Sequence, residues 1–150
     1  MEVERVRIRR GGIISAATAA VMLLSVSAAT AEDYLWSSYW YRATSGMESG
    51  RWGDEQYSQV LYRHCSGTRT GSGSVPYNTD IQVHQVVSRW PDTDYDKKTF
   101  SECFGGYMYQ SNGEWHNLPL ADYYFSVEAV RGGKGELDVE LIMVDDTAAD

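Results

Sequence analysis

Hydrophobic and polar residues alternate most clearly in the last third of the chain. Tyr123, Phe125, Val127 and Ala129 alternate with Tyr124, Ser126, Glu128 and Val130, and Leu137, Val139, Leu141 and Met143 alternate with Asp138, Glu140, Ile142 and Val144. A period of two is that of a strand with one face toward a core. Gly132, Gly133, Lys134 and Gly135 lie between the two runs, so the pattern predicts an antiparallel hairpin. Upstream, residues 60–65 and 81–90 read as strands, the second with Ile81, Val83 and Val87 on one side. Residues 100–104 and 107–110 read as one strand broken by a bulge at Gly105 and Gly106. Asn112 and Gly113 form a pair that suits a tight hairpin turn. No segment beyond residue 31 has a sustained helical period. The expectation is an all-β fold: a small antiparallel β-sandwich of six or seven strands with one disulfide and an aromatic N-terminal extension.

The first 31 residues follow different rules. Arg5, Arg7, Arg9 and Arg10 precede an uncharged stretch whose most apolar point is Val21, Met22, Leu23 and Leu24, and Ala29-Thr30-Ala31 supplies a small-x-small cleavage pattern. That is the layout of a secretory signal peptide, and the stretch is too diluted by Gly, Ser, Thr and Ala to read as a membrane span. The expectation is a secreted, extracellular protein divided into a signal peptide (1–31), an aromatic extension and linker (32–54) and a β-sandwich domain (55–150).

Charge narrows the partners. The chain has 13 Lys and Arg against 21 Asp and Glu, a net charge of −8. Without residues 1–31, nine basic and nineteen acidic residues remain, a net charge of about −10. Such a surface repels nucleic acid and anionic lipid, so neither nucleic-acid binding nor membrane association after signal cleavage is expected. Cys65 and Cys103 are the two cysteines. An even count in an exported chain predicts one disulfide, and the spacing of the pair resembles no metal motif.

Motifs for chemistry are sparse. There is no G-x-S-x-G elbow, H-E-x-x-H pair, phosphate loop or dinucleotide fingerprint, so no catalytic residue, cofactor or metal is assigned. His64, His84 and His116 are too far apart in sequence for one element to present two of them to a metal; a catalytic reading would pair one with Glu102, Glu114 or Glu128. Asp92, Asp94 and Asp96 have the spacing of half a calcium loop, but Lys97 and Cys103 stand where Gly and Glu are required, which favours a solvated acidic turn.

The aromatic residues are the strongest functional signal. Five Trp and eleven Tyr are present, and Tyr34, Trp36, Tyr39, Trp40 and Tyr41 crowd into eight positions. Tyr and Trp supply large, rigid contact area at binding surfaces. These five are the candidate binding residues, forming an arm that docks on a partner; alternatively they are the first strand of the sandwich, with their rings in the core. Trp52, Trp90 and Trp115 are candidates for stacking on sugar rings.

Two stretches, WHNLPLADYYFSV at 115–127 and LDVELIMV at 137–144, separated by the Gly-rich turn, resemble the C-terminal part of small secreted actinobacterial β-proteins. The layout of signal peptide, aromatic extension and one small sandwich is similar to the adaptor subunit of umbrella toxin particles. The resemblance implies a non-enzymatic bridging protein whose extension, corresponding to residues 33–41, engages a lectin-like subunit while its sandwich engages the repeat-containing stalk of a large antibacterial polypeptide. A secreted hydrolase inhibitor, with residues 71–76 as its exposed loop, and a carbohydrate-binding module are the alternatives. A small hydrolase using one of the histidines is the least favoured class.

Overall fold

The computed structural model describes residues 34–132 and 135–147; the expected signal peptide lies outside them. Six strands follow in chain order: β1 (Tyr34–Ala43), β2 (Trp52–Arg69), β3 (Asn78–Gln85), β4 (Thr93–Phe100), β5 (Gln110–Arg131) and β6 (Gly135–Asp145), with a 3-10 turn at Glu102–Gly105. They form one antiparallel sheet in the order β1-β6-β2-β5-β3-β4. The all-β fold with six strands is therefore present, and Cys65 is bonded to Cys103.

Two strands do most to shape the sheet. β5 pairs with β2 along its first half and with β3 along its second, while β2 pairs with β5 along its first half and with β6 along its second. Each long strand thus leaves one neighbour and takes another, so the sheet curls and its two halves pack face to face. In a flat sheet β1 would lie about 14 Å from β5, three strand spacings away. Instead the Trp40 ring of β1 is 5.4 Å from the Phe125 ring of β5. The layers of the sandwich are two halves of a single hydrogen-bonded sheet.

The core lies between these halves. Phe125 is fully buried and touches Trp36, Trp40, Trp52 and Tyr62, with ring centroids 5.4 to 6.3 Å away. Tyr62 meets Phe100 edge to face at 4.9 Å. Ile81, Val83, Val127, Leu137 and Val139 fill the space around the rings. The disulfide ties β2 to the 3-10 turn; closing a loop with a sequence separation of 38 contributes roughly 4 kcal/mol on the chain-entropy model.

Several local expectations are corrected. Asn112 and Gly113 are not a turn: β5 runs straight through them, and Gly113 pairs with Val60. A Cβ at Gly113 would meet Lys98, Phe100 and Trp115 at 3.0 Å, so the glycine serves close packing rather than a left-handed turn. Residues 100–104 do not continue as a strand, because Glu102–Gly105 coils into the 3-10 turn that carries Cys103 to Cys65. Strand β3 ends at Gln85, short of Trp90. Asp94 and Asp96, read as part of an acidic turn, belong to β4. The alternation in β6 also changes phase: Leu137 and Val139 are buried, but then Ile142 and Val144 are buried and Leu141 is only half-buried. β2 changes phase at the same place, from Val60 and Tyr62 to Cys65. Between them His64, which lies between the Arg63–Leu141 and Cys65–Val139 pairs, has a left-handed φ of 52°, which rotates the side-chain sequence by one position.

Truncating Trp40 to Ala should cost about 3–5 kcal/mol, because the cavity would open beside Phe125 and Tyr62 where the sheet folds on itself. The Tyr62 hydroxyl is buried with no hydrogen-bond partner among the described residues, and burial raises its pKa well above that of a free tyrosine. Tyr62→Phe removes that unsatisfied group and should raise stability by about 1 kcal/mol in a urea titration. A loss of similar size would place a hydrogen-bond partner at that hydroxyl.

Candidate binding surface

The parity of β1 divides the five candidate aromatic residues. Trp40 is 9% exposed and Trp36 is half-buried, its ring stacked on Phe125 at 6.3 Å with planes 10° apart. Tyr39 and Tyr41 point the other way and are 71% and 74% exposed. Tyr34 lies in β1. The segment read as an extension is thus an edge strand paired with β6, in which Trp36, Trp40 and Ala43 face the core while Tyr39, Tyr41 and Arg42 face solvent, the register shifting between Ser38 and Ala43. β2 begins at Trp52, within the stretch assigned to the linker.

Across the outer face from Tyr39 and Tyr41 run Asp138 and Glu140 of β6, then His64 and Ser66 of β2. Together with Trp40 and Val139 they line a groove of about 370 Å³. A second groove, of about 280 Å³, adjoins it and is lined by Arg63, His64, Tyr107, Glu140 and Leu141. His64 and Glu140 are common to both and are hydrogen-bonded to each other. Tyr107, 66% exposed, meets the His64 ring edge-on at 5.3 Å.

The wall formed by Tyr107 is tied to β2 by the disulfide and by a backbone hydrogen bond. Cys65, next to His64, is bonded to Cys103, and the chain then turns back so that the Tyr109 N–H reaches Gly106 O at 3.1 Å and the His64 N–H reaches Tyr109 O at 3.2 Å. Met108 and Tyr109 are exposed beside Tyr107 on this turn. A left-handed histidine is uncommon, and backbone strain of this kind gathers at functional positions. The sequence reading missed Tyr107, Glu140 and Asp138 as surface partners of the arm. Their only signal was the outward parity of β6, because the meeting of β1, β6 and the 3-10 turn is non-local.

The remaining candidates fall elsewhere. Trp52 and Trp115 are buried, their indole N–H groups donating to Ser58 Oγ at 3.0 Å and to Asp96 O at 2.9 Å, so neither offers a face to a sugar ring; Trp90 is exposed. Residues 71–76 are held down at one end: Pro76 packs so tightly against Gly67 and Gly135 that a Cβ at either would come within 2.5 Å of its ring. Val75 remains exposed beside it. Asp92 accepts from the Val87 N–H and the Tyr124 hydroxyl, Asp94 faces His84, and Asp96 pairs with Lys98. Among the described residues, no group of three metal-ligating side chains converges.

Each histidine meets a carboxylate. His116 lies 3.4 Å from Glu114 and is exposed. His84 is buried, with Nδ1 at 2.8 Å from Asp94 and Nε2 at 2.7 Å from Ser126 Oγ. Those distances are those of a base between a nucleophile and an orienting carboxylate. Ser126, however, is buried and also lies 2.7 Å from Glu128, whose other oxygen accepts from Lys97 at 2.7 Å. The one hydroxyl proton of Ser126 thus has both His84 Nε2 and Glu128 within reach as acceptors, and its buried oxygen is not open to a substrate, unlike that of a nucleophilic serine. The chain of bonds joins β3, β4 and β5 on their outer face.

No protein-family model matches the chain, and no curated protein matches it. Among the described residues, no helix is long and apolar enough to cross a membrane.

Two carboxylates make the fold sensitive to acid. Lys97 and Ser126 hold Glu128 below the usual carboxylate range. Burial pushes Asp80 up, but the Thr99 hydroxyl and the Arg131 guanidinium outweigh it and leave Asp80 low. A depressed folded pKa contributes stability that is present above the unfolded value, near pH 4, and lost as pH falls through the folded value. The urea midpoint should therefore drop between about pH 5 and pH 2.5. Glu128→Gln should flatten part of that drop; an unchanged slope would show that Glu128 titrates alike in both states.

Proposed function

We propose that this is an exported, non-enzymatic binding protein that acts as an adaptor and engages another secreted protein through the outer face of β1, β6 and the Tyr107 turn. The observation that carries the reading is the convergence of three exposed tyrosines, Tyr39, Tyr41 and Tyr107, from two distant parts of the chain around two adjoining grooves. Large aromatic side chains cost little conformational entropy to immobilise and dominate protein interfaces, and their clustering marks an interaction site. The signal-like residues 1–31 and the disulfide support export. The likeness to umbrella toxin adaptors gives the reading a particular form, in which this face holds a lectin-like subunit and the rest of the sandwich meets a repeat-containing stalk.

The test is to express residues 32–150 with a C-terminal tag as a secreted protein in the producing organism and to identify by mass spectrometry what co-purifies from the medium. Deleting 33–41 would remove Trp36 and Trp40 from the core, so the informative comparison is Tyr39→Ser with Tyr41→Ser. Stoichiometric recovery of a second secreted protein that is lost in the double variant supports the adaptor. Recovery of nothing, or of a partner indifferent to both tyrosines, overturns it.

A further inference from the structure

The outer row of β6 carries three carboxylates at alternate positions, Glu136, Asp138 and Glu140, and the structure treats them differently. Glu136 is already occupied: Arg42 of β1 lays its guanidinium across it, with Nε at 2.5 Å and Nη2 at 3.0 Å from its two oxygens. Arg42 reaches it from a left-handed backbone, with φ 58°. Asp138 accepts the Arg42 N–H at 2.7 Å, with Thr68 3.5 Å from its other oxygen. Glu140 has one polar partner among the described residues, His64 on Oε2. Its side chain is 57% exposed against 16% for Glu136.

We propose that Glu140 is the receptor for a cationic side chain, an arginine foremost, presented by an extended basic segment of the partner protein. The groove supplies what a guanidinium needs. Glu140 Oε1 offers an anionic acceptor, Asp138 adds a second negative charge two residues away, and the exposed faces of Tyr39 and Tyr41 wall the same space. A planar cation binds a carboxylate edge-on and an aromatic ring face-on, and arginine does both. Arg42 on Glu136 is the same contact made within the chain, four residues along β6. The charge of the chain agrees, since an excess of acidic residues steers a basic partner toward this face. β1 is also the edge of the sheet, so an extended segment can lie beside it with its side chain directed into the groove.

This inference rests on the adaptor reading, and its test separates the two. N-acetyl-arginine amide is titrated into the folded, disulfide-bonded protein and followed by amide chemical shifts, with N-acetyl-citrulline amide as the neutral isostere. Saturable shifts are expected at residues 39–41, 64 and 138–140, with a dissociation constant on the order of 10 mM for so small a probe. Citrulline should bind at least about fivefold more weakly, and Glu140→Gln should reduce arginine binding to the citrulline level while the other amides stay in place. Equal shifts from both probes, or no saturation with arginine, would overturn the proposal. A partner captured from the medium whose affinity is unchanged by Glu140→Gln also overturns it and leaves the adaptor standing. Arginine binding with no partner captured keeps the site and removes the adaptor.

Discussion

Phe125 holds the architecture together. It sits in the second half of the longest strand, where β5 has left β2 and joined β3, and it is ringed by Trp36, Trp40, Trp52 and Tyr62. A six-stranded sheet left flat would expose one apolar face along its whole width. Curling it around one aromatic hub buries both halves against each other without a second sheet, and each ring pair adds a geometric preference beyond its buried area. The edge strand β1 is recruited by this packing as much as by its hydrogen bonds to β6, since two of its tryptophans reach the hub.

The surface follows from that constraint. Because Trp36 and Trp40 must face Phe125, the pleat sends Tyr39 and Tyr41 outward, and no sequence with both sets inside could form a strand here. The phase change at His64 then decides what they look onto. With a regular backbone throughout, the side-chain order beyond residue 64 would be inverted. The left-handed histidine keeps Tyr62 and Cys65 both inward, and the outer row becomes Glu140, His64 and Tyr107. The disulfide ties the segment leading to Tyr107 to β2, and Tyr107 comes to lie edge-on against the His64 ring.

How much of this could be read in advance depended on the range of the interaction. The alternation over 123–130 and 137–144 reports burial by neighbouring strands and was legible, as were the disulfide and the all-β class. The ends of β3 and the nature of β4 were not, because Asp94, Asp96, Lys97 and Lys98 form a charged edge strand whose sequence resembles a turn. Asn112 and Gly113 misled for the opposite reason: the pair favours a turn locally, but at this position packing against Phe100 and Trp115 requires glycine. The five aromatic residues of β1 were legible as a group and illegible as individuals, since period two gives two faces but not which one meets Phe125. Tyr107, Asp138 and Glu140 could not be joined to them before the topology was known.

The central proposal is a division of labour within one strand, with Trp36 and Trp40 of β1 building the fold and Tyr39 and Tyr41 meeting the partner. The most direct measurement takes the two pairs of substitutions side by side, Tyr39→Ser with Tyr41→Ser and Trp36→Phe with Trp40→Phe, and records both the thermal midpoint and the affinity for the captured partner. The account predicts that the tyrosine pair loses affinity at least tenfold, about 1.4 kcal/mol or more, with its midpoint unchanged, and that the tryptophan pair loses midpoint while its folded molecules bind as before. A tyrosine pair that melts early and binds normally, or a folded tryptophan pair that no longer binds, would contradict it.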